Sequence, residues 1–151
     1  MSKQDVKAYD VACFLSLLND SYKEYGDVMT NLKLQKLVYY VQGFHLALFN
    51  KPLFSDEIHA WQYGPVVPSL YNKLKKFGKS EVKIQSDEPL DDIFTKAQKK
   101  LIRDVFEQLG QFSAWKLMRM THSESPWRET DISSVISHDK MSAFFKTKLI
   151  D

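Results

Sequence analysis

With a single cysteine, Cys13, the 151-residue chain has no means of forming an internal disulfide or a cysteine-rich zinc site. Cys13 lies among Val11, Ala12, Phe14 and Leu15, where a thiol is expected to act as a small core residue rather than a nucleophile. The five glycines, at 26, 43, 64, 78 and 110, are too scattered for a loop that cradles phosphate. No nucleophile elbow or metalloprotease helix motif occurs. His45, His59, His122 and His138 have no histidine three or four positions away that would aim two ligands at one metal. Apolar runs are short: Leu37-Val38-Tyr39-Tyr40-Val41 stops at Gln42, far below the ~20 residues of a membrane span. The polar start, Met1-Ser2-Lys3-Gln4-Asp5, leads into no signal-peptide pattern. These absences predict a cytoplasmic protein with no membrane partner, no metal, no cofactor and no enzymatic role.

Charge of one sign is also scarce, since 21 basic and 19 acidic side chains leave a net charge of only +2. Lys73, Lys75, Lys76, Lys79 and Lys83 face Glu81 alone; Asp87, Glu88, Asp91 and Asp92 follow, then Lys96, Lys99, Lys100 and Arg103. Alternating blocks of this kind usually form solvated, mutually screening helix faces. Nucleic-acid binding usually brings a sustained basic excess, so nucleic acid is not the expected partner. A mobile-element nucleic-acid protein using Lys73 to Lys79 stays as an alternative.

What is present is enough apolar material for one core. The length is that of a single domain, read here as residues 1–151, with 44% hydrophobic residues and a rich aromatic set of 10 Phe, 7 Tyr and 3 Trp. Helical spacing runs from Asp5 to Tyr25 through Val6, Tyr9, Cys13 and Leu17, with Gly26 as a stop. Thr30 is positioned to cap a second helix that ends near Asn50 and is apolar on two faces, as a buried central helix would be. Residues 57 to 63 alternate with period two, which predicts a short strand, and Gly64-Pro65 is expected to break the chain. Pro68 fits the first turn of a helix that stops at Gly78, and Val82 and Ile84 suggest a second short strand. A long amphipathic helix is expected from Asp91 to Leu109, ended by Gly110. Ser113, Ser125-Pro126 and Ser137 mark the starts of three shorter helices. The fold predicted is mainly α: a compact single-domain bundle of about six or seven helices around a central buried helix, with a short strand or hairpin.

The nearest approach to an acid–base pair is His122 with Glu124. On a helix, residues two apart point about 200° from each other. The plainer expectation is a helix end with His122 tied to backbone; an enzyme of unrecognised type using this pair, with His59 nearby, is the alternative. His45, on an apolar helical face, is expected to be a hydrogen-bonded core residue. Two stretches carry more information. Residues 32–43 place Gln35, Lys36 and Gln42 in an apolar helix, where buried polar groups must be satisfied and are suited to brace a neighbouring loop, the segment after the strand being the obvious candidate. Residues 60–71 combine Trp61, Tyr63, Gly64-Pro65, Val66, Val67 and Tyr71. That composition fits an interface loop and a structural corner equally well.

These stretches, "TNLKLQKLVYYVQGFHLALFNKPLF" and "AWQYGPVVPSLYNKLKKFG", together with "LMRMTHSESPW", resemble in order and spacing the signature segments of the Panacea family, the SocA-like antitoxin domain, also met as a phage-associated protein. The resemblance runs from the first helix to about Ile136. It implies a compact, mostly helical antitoxin of a type II toxin–antitoxin pair, which neutralises a cognate toxin, encoded next door, by direct protein contact. Many family members carry an extra N-terminal DNA-binding segment; only a few residues precede the first helix here, which counts against transcriptional autoregulation. The expected contact surface is Trp61, Tyr63, Pro65, Val66, Val67 and Tyr71, with Lys36 and Tyr39 below and His122 and Trp127 beside it.

Overall fold

The computed structural model describes residues 5–22 and 28–149. Helix α1 (Ala8–Ser21) starts where carboxylates meet its free N–H groups: Asp10 accepts from Lys7 N–H at 2.9 Å, and Asp56 from Ala8 N–H at 3.0 Å. Asp56 thereby ties the loop after the second helix to the first. The helix is shorter than the predicted Asp5–Tyr25, and Tyr25 and Gly26 lie outside the described residues.

Helix α2 (Asn31–Phe49) has the predicted ends. The Thr30 hydroxyl accepts from Lys33 N–H at 3.2 Å, and Asn50 closes the helix in the left-handed region at φ 60°. Strands β1 (His59–Trp61) and β2 (Gly64–Val66) form an antiparallel hairpin, with His59 opposite Val66 and Trp61 opposite Gly64. Gly64-Pro65 therefore belongs to a strand, and the turn is Gln62-Tyr63, which corrects the expected chain break. Proline is tolerated in an outer strand where no N–H is required, and the Pro65 carbonyl turns to the Lys36 ammonium at 3.2 Å. The other side of β1 is covered by residues 133–136: Ser133 N–H reaches the Ala60 carbonyl, Ala60 N–H the Ser134 carbonyl and Ile136 N–H the Ile58 carbonyl, at 2.6, 2.9 and 2.7 Å.

Helix α3 (Pro68–Leu74) begins at its proline, as expected, and runs into a 3-10 turn, Lys75–Phe77. The strand expected at Val82 and Ile84 does not form. Both hairpin edges are taken, and Val82 is held by a single backbone bond to Met29, at 2.8 Å, with the Ser16 hydroxyl on its carbonyl. The long helix expected over 91–109 is also divided, into α4 (Leu90–Ile93) and α5 (Lys96–Leu109), with Phe94 extended between them. Thr95 and Gln98 explain the break. Each side chain accepts the other's backbone N–H, at 3.1 and 3.0 Å, a reciprocal cap that restarts the helix.

Helices α6 (Ala114–His122), α7 (Ser125–Arg128) and α8 (His138–Lys146) complete the fold; Ser113 and Ser137 cap α6 and α8 as predicted. Helix α2 touches α1, α3, α5, α6, α8 and β2, so the mainly helical architecture around a central buried helix is the one expected. Leu37 and Tyr39 of α2 are buried with Phe14, Phe106 and Phe145, each side chain of this type contributing ~1.5–3 kcal/mol. Helix α8 packs on α2 at Gly43, where a methyl group would land in the Phe145 ring. No helix of the described residues is long and apolar enough to cross a membrane.

Candidate functional site

Gln35, Lys36, Gln42, Lys33, Asn31 and His45 of α2 are buried, so these polar side chains are bonded internally. Gln35 accepts Val67 N–H at 2.9 Å while its amide donates to Asn31 at 2.8 Å. Gln42 accepts Leu53 N–H and donates to the Phe54 carbonyl, both at 2.8 Å. Lys33 donates to the Gly110 carbonyl at 2.7 Å, and His45 Nδ1 to the Lys51 carbonyl at 2.7 Å. In this way α2 sets the shape of irregular backbone from three parts of the chain, residues 51–54, Val67 and Gly110. Gln35 and Lys36 brace the segment after the strand, as expected, whereas Gln42 braces residues 53–54 instead; the core role expected of His45 is observed.

Lys36 is fully buried, and burial lowers its pKa to about 7. Its Cε and the Thr121 hydroxyl would each lie 2.8 Å from a Cβ on Gly64, whose φ is +105°. Only glycine fits there, both for backbone conformation and for space. The hairpin thus rests directly on the lysine. From the α6–α7 side, the Trp127 indole donates to the Trp61 carbonyl at 2.8 Å and His122 Nε2 donates to the Gln62 carbonyl at 3.1 Å. The two rings stack, with centroids 4.1 Å apart. His122 is therefore tied to backbone, the plainer of the two expectations.

Glu124 goes elsewhere. Its carboxylate accepts from Tyr40 at 2.7 Å and from Tyr39 at 3.2 Å. Burial raises its pKa to about 7, against the lowering effect of the two hydroxyls. Both tyrosines are pushed upward by burial and by the adjacent carboxylate. His59 bonds to Glu57. Among the described residues no hydrogen bond joins His122, Glu124 and His59. Burial also raises the Cys13 thiol to about 11, in keeping with a core residue.

Among the clefts of the described residues is an aromatic groove of about 560 Å³ between the hairpin and the start of α2. Trp61, Tyr63, Val66 and Tyr71 line it, so four of the ten predicted contact residues come together. Tyr63 is 59% exposed, and Trp61 meets Tyr71 edge to face at 5.2 Å. Lys36, Pro65 and Val67 are buried on the far side of the hairpin, Tyr39 is buried against Phe145 and Glu124 away from the groove lining, and His122 and Trp127 hold the turn. Sequence reasoning missed Thr30, Asn31, Leu32 and Gly78, and marked Lys79 only for the nucleic-acid alternative; these five complete the lining. Nothing local groups them, because two distant segments meet there. It also missed the Glu124–Tyr39–Tyr40 cluster. The available signal was a pair of tyrosines in a buried helix, whose hydroxyls require partners.

Comparison with known proteins gives this architecture a lineage. Residues 34–128, from the first turn of α2 to the end of α7, match the family described as "Antitoxin SocA-like, Panacea domain". The chain is similar to Antitoxin SocA of Caulobacter vibrioides (strain NA1000 / CB15N), at 30% identity over 139 residues, covering 82% of this chain and 71% of that protein. No solved structure gives a significant match. With its braced hairpin and central helix inside the matched segment, the chain belongs to the antitoxin SocA-like, Panacea-domain family.

Proposed function

We propose that this chain is an antitoxin of a type II toxin–antitoxin pair, a non-enzymatic cytoplasmic protein that neutralises a cognate toxin by direct binding. Family membership supports the antitoxin role. The observation that carries direct binding is the groove: Trp61 and exposed Tyr63 on a hairpin held by Lys36, Gln35, His122 and Trp127, with Tyr71 of α3 beside them. Large aromatics on a preorganised backbone are the side chains that dominate protein interfaces, since little entropy is lost on docking.

Growth rescue tests the proposal. The adjacent open reading frame is expressed alone, then with this chain, and the pair is purified together. Arrest by the neighbour, relieved through a copurifying complex, is the expected result. A harmless neighbour, or rescue without association, would overturn it.

A further inference from the structure

We infer that the groove takes an extended acidic–apolar segment of the partner protein, with a large apolar side chain between Tyr63 and Tyr71 and a neighbouring carboxylate on Lys79. The identity of the partner rests on the antitoxin reading; the chemistry of the segment rests on the groove itself. Its volume lies within the ~300–1,000 Å³ typical of clefts that receive a compact apolar group. Its walls are aromatic and aliphatic, and no acidic side chain lines it.

The cations nearby are not equivalent. Lys73 lies over the Tyr9 ring, Lys76 over Phe77, and Lys83 between Asp20 and Glu81. Lys79 lines the groove and has no ion pair among the described residues. A carboxylate from the partner is the complement it lacks, and such complementarity selects partners and fixes register.

Two other recognition modes fit less well. Strand addition needs an open sheet edge, but residues 133–136 cover β1 while Lys36 and Gln35 bond the backbone along β2 and just after it. Single-stranded nucleic acid needs open ring faces and a track of cations. Here Trp61 and Tyr71 are set against each other at 68°, and a single lysine lines the groove.

The whole chain, labelled with 15N, is titrated with acetylated, amidated Asp-Phe-Leu-Asp, with Lys-Phe-Leu-Lys, and with a short oligothymidine. The acidic peptide is expected to move the Trp61 indole and the Gly78 and Lys79 amide signals, binding at least about tenfold more tightly than the basic one. Lys79→Glu should reverse that preference, and Tyr63→Ala should weaken both peptides without changing the rest of the spectrum. Equal or tighter binding of the basic peptide, no movement with either peptide, or tighter binding of the oligonucleotide at the same signals would overturn the inference. Growth rescue runs beside it. Rescue without acidic-peptide binding removes the groove chemistry and leaves the antitoxin reading standing; acidic-peptide binding without rescue does the reverse.

Discussion

The hairpin presents two contrasting surroundings. Toward α2 and α6, Gly64 is pressed against Lys36 and Thr121, and backbone groups of Pro65 and Val67 are bonded to buried side chains of α2. Toward the groove, the same few residues hold up Trp61 and Tyr63 with open space around them. One side fixes a backbone; the other displays side chains. Changes on the first should cost stability, and changes on the second should cost binding while the fold persists.

The strongest test of that division is Gly64→Ala. A positive φ and two 2.8 Å contacts predict a loss of about 2–3 kcal/mol in urea unfolding. A loss below ~0.5 kcal/mol, the level of an ordinary surface change, would break the comparison.

Lys36→Met comes next, leaving the Pro65 carbonyl without its donor at a cost of about 1–3 kcal/mol. It also has a pH signature. The folded amine loses its proton near 7, whereas the unfolded one keeps it to about 10.5, so between those values the unfolded chain holds the extra proton. Wild-type stability should therefore gain from this group as pH rises through that window. The methionine variant should lose that gain, as followed by melting temperature against pH.

On the groove side, Tyr63→Ala should leave unfolding within ~0.5 kcal/mol of wild type, because the ring is mostly exposed. Its cost to affinity for the proposed partner, measured by calorimetry, should exceed ~1 kcal/mol. Unchanged affinity in a normally folded variant would remove the groove from the interface.

The smallest effect is expected from Glu124→Gln, which keeps the shape and removes the titration. Folded Glu124 holds its proton to about 7, unfolded glutamate only to 4.5, so this group makes stability fall as pH rises between them. The glutamine variant should flatten that limb while leaving the Lys36 limb in place. A slope unchanged in this variant would mean that the carboxylate does not titrate there.

Much of the fold was legible in local signals. Thr30, Ser113 and Ser137 announced their helices, Asn50 lies at the predicted end of α2, and the two apolar faces of α2 marked it as the centre. Where reading failed, a local signal was passed over or a distant one decided. The Thr95–Gln98 reciprocal cap lies in plain sequence and divides α4 from α5. By contrast, no neighbour of Gly64-Pro65 reveals that these residues form a strand; pairing with β1 and the Lys36 ammonium on the Pro65 carbonyl decide it.

The site divides along the same line. Sequence by itself determined the aromatic segment 60–71, the polar groups of α2 that had to find partners, and the family resemblance, because side-chain type and short-range spacing are written along the chain. Tertiary structure alone decided that Lys79 and Leu32 join Trp61 and Tyr71 in one groove, and that Glu124 turns to Tyr39 and Tyr40 while His122 turns to Gln62. Each of those pairings joins segments far apart in the chain, and only packing around α2 brings them within bonding distance.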